Sequence, residues 1–143
     1  MTTEANKEIV RRWFDEVIGQ RQIDLIDEMC APEVVNWAAV PERRYGIEGM
    51  KEIARFIFDV QPDQHWPQRR LIAEDDFVVA YGIRAATWHG GSFRGIATPD
   101  TSGKQIAVEL AHMFRFKDGK IAEHWAVRDD LGMMQQLGVL PQP

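Results

Sequence analysis

A single cysteine in 143 residues leaves this chain no intrachain disulfide and no thiolate cluster for a structural metal. Cys30 lies between Met29 and Ala31 and reads as a small buried hydrophobe rather than a nucleophile. No apolar run approaches the roughly 20 residues of a membrane span. The opening MTTEANKEIVRRWF mixes acids with bases and has no apolar stretch of signal length, so a cytoplasmic location is expected. Basic runs are missing too. With 17 Lys and Arg against 22 Asp and Glu, interspersed to a net charge of −5, the chain lacks the footprint of a nucleic-acid binder. The four histidines, at 65, 89, 112 and 124, have no short ligand spacing, so no metal is expected. Phosphate loops, dinucleotide fingerprints and nucleophile elbows are also absent, and no cofactor is expected. Without repeats, low-complexity tracts or linkers, residues 1–143 read as one domain.

What is present is amphipathic patterning that changes character midway. Ile9, Val10, Trp13, Phe14, Val17 and Ile18 recur at helical spacing and predict a helix over 4–18, stopped by Gly19. A shorter helical piece carries Leu25, Ile26 and Met29 and is expected to end at Pro32. A short strand is predicted over 34–40, closed by Pro41, and a second helix over 49–60. Beyond Pro62 the period becomes two. Strands are predicted over 68–73 and 77–88, joined by a turn at 74–76. A long connection or broken strand spans 90–103. Strands over 105–116 and 120–128 flank Asp118-Gly119, a two-residue turn suited to type I′. A last helical turn or two covers 131–137, with Gly138 at its C-terminal end. Helices first and antiparallel strands second predict an α+β fold with helices on one face of the sheet.

The candidate chemistry sits near the C-terminus. His112 shares the apolar phase of its strand with Leu110 and Phe114, where a polar ring needs a partner or a wet cavity. It is either a hydrogen-bonded core histidine or a base titrating near neutral pH. Across the hairpin, Ala122, His124, Ala126 and Arg128 share one face. His124 is either a rim residue or the partner of His112. Asp129 and Asp130 precede the last helix. One carboxylate there caps the helix, and the other has the option of reaching into a cavity. Trp13, Phe58, Tyr81 and Trp88 offer aromatic surface to a flat apolar ligand, and His89, among glycines, borders a candidate pocket mouth.

These stretches resemble the SnoaL-like polyketide cyclase family, within the nuclear-transport-factor-like α+β superfamily. The resemblance rests on EIVRR in the first helix, IDLIDEMCAPEVVN ending at Asn36, the HGGSFRGI loop, and the closing HMFRFKDGKIAEHW with LGMMQQLG. It implies a cone, or cystatin-like α+β roll, in which a curved antiparallel sheet and N-terminal helices close a deep pocket, and a homodimer or higher homo-oligomer. It also implies cofactor-free acid–base chemistry of cyclase or isomerase type on an apolar, carbonyl-bearing ligand. His112 would then be the acid/base, partnered by His124 or Asp129, and Asn36 a donor to a substrate oxygen. One departure is visible. The position where the family's cyclases carry an acidic residue falls on Ala126, and the next carboxylate is Asp129. A non-catalytic ligand-binding or dimerisation module of the same fold is the alternative, as is a hydrolase or hydroxylase acting through an activated water.

Overall fold

The computed structural model describes residues 2–98 and 101–142. Helix α1 (Thr3–Arg12) opens on Thr2, whose hydroxyl accepts the Ala5 N–H at 3.0 Å. A single helix over 4–18 was expected. Instead the chain passes into a π-helical stretch, Trp13–Ile18, in which the Gly19 N–H reaches the Phe14 carbonyl five residues back at 2.9 Å. The wider turn brings Trp13, Phe14, Val17 and Ile18 to one buried face. It also crowds its own end, because a Cβ on Gly19 would stand 2.5 Å from the Asp15 carbonyl oxygen.

Helix α2 (Ile26–Met29) gives way directly to strand β1 (Cys30–Asn36). Pro32 therefore sits inside a strand rather than ending a helix, which is tolerated because β1 is at the sheet edge. The strand expected to reach residue 40 stops at Asn36, whose side-chain oxygen accepts the Ala38 N–H at 3.1 Å and folds the chain into a turn. Helix α3 (Gly46–Val60) starts three residues earlier than predicted.

Strands β2 (His65–Glu74) and β3 (Phe77–Trp88) form the first hairpin. The 90–103 connection contains a small hairpin of its own, β4 (Ser92–Phe93) with β5 (Ile96–Ala97). Strands β6 (Lys104–Lys117) and β7 (Lys120–Arg128) meet at Asp118-Gly119, where φ is +51° and +77°, the double positive φ of a type I′ turn. Helix α4 (Asp130–Gln136) follows.

The five-stranded sheet runs β1-β7-β6-β3-β2. Its β2–β3, β3–β6 and β6–β7 pairs are antiparallel, but β1 lies parallel to β7, so the curved sheet is mixed and not antiparallel throughout. Parallel neighbours need a long crossover, and everything from α3 to β6 supplies it. The register Asn36↔His124 is the consequence that matters, since it sets side by side two residues 88 positions apart.

Even-numbered residues of β3, and of β6 from Ile106 on, point inward, as do Ala122, His124 and Ala126 of β7. A large apolar cluster joins α1, the π turn, α2 and α3 to Val78, Ala80, Phe114 and Ile121. Burial of this kind yields roughly 1.5–3 kcal/mol per large side chain and holds the helices on the sheet. A smaller cluster gathers Trp88, Ile106, Val108 and Met133 under α4.

Candidate active site

Between the concave face of the sheet and α3 lies a cavity of about 470 Å³, within the range of sites for drug-sized ligands. Trp13, Phe14, Met50, Ile53 and Ile57 supply apolar wall, and Phe93 and Arg94 of the β4–β5 hairpin flank it. His112, His124, Asn36, Ala126, Arg84 and Arg128 bring its polar and small groups.

Asn36, His124 and His112 form one hydrogen-bonded series. His124 Nδ1 lies 2.8 Å from Asn36 Oδ1, and His124 Nε2 lies 2.8 Å from His112 Nδ1. The proton positions follow from the backbone. The Ala38 N–H needs an acceptor, which identifies the Asn36 atom as its oxygen, so His124 Nδ1 must carry hydrogen and donate. A neutral His124 then presents a bare Nε2, which accepts from His112 Nδ1–H, and a neutral His112 keeps its lone pair on Nε2. Burial first, and the Arg128 charge second, push His124 down to about 3. His112 is also held well below the ordinary histidine value, by burial, then His124, Arg84 and Arg128. Both rings are therefore neutral near pH 7. Packing fixes them: the two imidazoles meet edge to edge through their hydrogen bond, with centroids 5.0 Å apart, and Phe14 and Trp66 lie 5.3 and 5.7 Å from His112. In register, His112 faces Ala80 on one neighbouring strand and Ala126 on the other, so small side chains leave room beside the ring.

Of the residues anticipated from sequence, His112, His124, Asn36 and Trp13 line the cavity together. Asp129 is not brought to them. Its carboxylate accepts the Gly132 N–H at 2.9 Å as the N-cap of α4, and no bulge turns it inward. Trp88 is fully buried in the second cluster, its indole N–H donating to the Gly90 carbonyl at 2.9 Å. Phe58 packs on the outside of the main core under the Arg21 guanidinium, 5.5 Å from its ring. Tyr81 falls on the outward phase of β3, exposed, and His89 is exposed with its ring 3.4 Å from Ser102 Oγ. Tyr81 and Trp88 lie on β3 in opposite phases, which alone separates the first of them from the concave face.

Sequence reasoning missed the cations. Arg84 occupies an inward position of β3 between Gly82 and Ala86, and is buried. Its Nε is buried without a partner among the described residues. Burial, then Arg128, lowers it from 12.5 to about 10, against a smaller opposing effect of Asp130. Arg128 itself pairs with Asp130 at 3.1 and 3.4 Å. The signal was available, since Arg84 breaks an apolar phase of alternation in the same way as His112 does.

Similarity to known proteins agrees with this architecture. Residues 8–137 match the family described as SnoaL-like polyketide cyclase. Among solved structures, TsrD from Streptomyces laurentii is similar at a TM-score of 0.81 and 25% identity, covering 98% of this chain and 99% of that one. A candidate polyketide cyclase from Acidithiobacillus ferrooxidans follows at 0.76 and 28%, covering 97% and 99%. A candidate hydroxylase from Streptomyces galilaeus, AclR, shares the fold at 0.77 and 22%, covering 99% and 86%. No functionally curated protein matches the sequence.

Proposed function

Because the chain belongs to the SnoaL-like polyketide cyclase family, we propose that its cavity carries out cofactor-free acid–base chemistry on a carbonyl-bearing small molecule, with His112 as the base. The observation that carries this reading is the Asn36–His124–His112 series, which ends on the bare Nε2 of a cavity-lining ring. In the forward step Nε2 takes a proton from the carbon beside a carbonyl. The C–H electron pair moves into an enolate, while Asn36, on the far side of His124 from His112, orients the series through its side-chain oxygen. The enolate carbon attacks a second carbonyl of the same molecule, forming a C–C bond, and the new alkoxide takes the proton back from His112. His124 is a positioning residue: it keeps Nδ1 of His112 protonated and the ring fixed.

The missing acid shapes the choice of substrate. Ala126 stands opposite His112 in register, so no carboxylate shares the proton there. With its basicity depressed, His112 suits an acidic carbon, one flanked by two carbonyls or by a carbonyl and an aromatic ring.

The test is exchange of the C1 protons of 2-tetralone, which lie between a carbonyl and an aromatic ring, in D2O, followed by proton NMR. Wild-type protein should accelerate exchange over buffer, and His112→Ala should lose about 10²- to 10⁴-fold of that acceleration. Equal acceleration by a folded His112→Ala variant would remove His112 from the role.

A further inference from the structure

We propose that the cavity holds a ligand carboxylate at its Arg84–Arg128 end, so that the substrate is an amphipathic acid: an apolar body with one anionic group. This inference deepens the preceding reading and rests on the same cavity.

Charge counting comes first. Arg84, Arg94 and Arg128 line the cavity near one another, while Asp130 is the one acid among the described lining residues. Arg43 also borders it but is drawn to Glu52 at 3.4 Å. Asp130 is engaged by Arg128, and Arg94 donates to the Ala38 carbonyl at 2.7 Å. Arg84 is left with only the charge of Asp130, which Arg128 already engages, and is 8% exposed with a buried unpartnered Nε. A protein rarely buries a guanidinium without compensation, because desolvation costs several kcal/mol per ion. A planar carboxylate matches the geometry of a guanidinium fork and would satisfy it.

The register places this charge at a useful distance from the base. Arg128 pairs with Leu110, two residues along the strand from the His112↔Ala126 pair, and Arg84 pairs with Val108, four residues from His112. At about 3.3 Å per residue these offsets are roughly 7 and 13 Å. A bicyclic skeleton spans that gap, with its anion on the arginines and its reactive carbon at His112. Such an anion would also cancel part of the positive field of Arg84 and Arg128 that lowers the basicity of His112. Substrate binding would then strengthen the base that acts on it.

The test compares 2-naphthoate with its uncharged methyl ester by isothermal titration calorimetry on the full chain. Wild-type protein should bind 2-naphthoate at least tenfold more tightly than methyl 2-naphthoate. Arg84→Met should abolish the preference and Arg128→Gln should reduce it several-fold, while His112→Ala should keep it. Should Arg84→Met not fold, the wild-type preference and Arg128→Gln still decide the matter. Equal affinities for the two probes, no binding of either, or a preference untouched by the arginine substitutions would each overturn the anion site. The two readings fail separately: no acceleration of 2-tetralone exchange with the naphthoate preference intact removes the base and leaves the anion site.

Discussion

At one end of the cavity His112 donates to His124 and His124 to Asn36, each at 2.8 Å, and both rings are kept neutral. Some four residues along the same concave face, Arg84 is buried with its charge and without a partner. The same sheet thus meets the cost of buried polarity in two ways. At the histidine end it removes the charge and pairs the atoms; at the arginine end it keeps the charge and leaves it unpaired. The first arrangement suits a fixed base and the second suits the binding of an anion. Neutral pairs are sensitive to added protons, whereas a stranded cation costs stability at every ordinary pH.

That contrast is tested most strongly by acid. Both histidines have a folded-state basicity below the unfolded value of 6.5, His124 down to about 3. Below pH 6.5 the unfolded chain therefore binds protons that the folded chain refuses, and stability falls as pH drops. The loss starts near 6.5 and for His124 continues to about 3. His124 contributes a slope approaching roughly 1.4 kcal/mol per pH unit, about 2 kcal/mol between pH 6.5 and 5, and His112 adds to the loss in the same sense. Urea unfolding at half-unit steps across that window measures it, and His124→Gln should about halve the slope. A flat profile would mean that the two rings are hydrated rather than sealed.

The arginine end should respond in the opposite sense. Arg84 is held at about 10 against its ordinary 12.5, a gap equivalent to about 3 kcal/mol of destabilisation by the charged form at neutral pH. Arg84→Met keeps most of the apolar stem and removes the charge, so it should stabilise the fold by about 2 kcal/mol in urea unfolding at pH 7. At a fixed concentration, 2-naphthoate should raise the wild-type midpoint by more than that of the variant. An Arg84→Met protein less stable than wild type would show that the guanidinium is satisfied after all, and the contrast between the two ends would collapse.

How far the sequence foretold this layout depends on the range of the contact concerned. Strand alternation placed His112 inward, and the Asp118-Gly119 turn set β7 beside it; both are local and both were legible. The pairing of Asn36 with His124 was not, because it requires β1 to lie parallel to β7 after a crossover that no local pattern announces. The π turn likewise depends on Trp13, Phe14, Val17 and Ile18 sharing one core rather than on helix propensity. Arg84 was overlooked for another reason. Attention to histidines and carboxylates passed over a cation in an apolar phase, although the physical argument is the same for both.

Asp129 gives the smallest effect and a sharp discrimination, since sequence reading offered it as a stand-in for the acid missing at Ala126. Its carboxylate is spent on the Gly132 N–H at 2.9 Å, and the first turn of α4 brings Met133 and Met134 into the core behind Trp88. Asp129→Ala should therefore cost about 1 kcal/mol, the ordinary value of an N-cap, with 2-tetralone exchange within about twofold of wild type. Asp129→Asn should recover most of the loss, because the amide oxygen caps as well as a carboxylate does, and an asparagine cannot carry a proton in its place. A capping role and a proton-transfer role thus diverge in the asparagine variant. Exchange that falls a hundredfold in Asp129→Asn while stability is restored would place this carboxylate in the chemistry, and the histidine end could no longer be described as a base working without an acid.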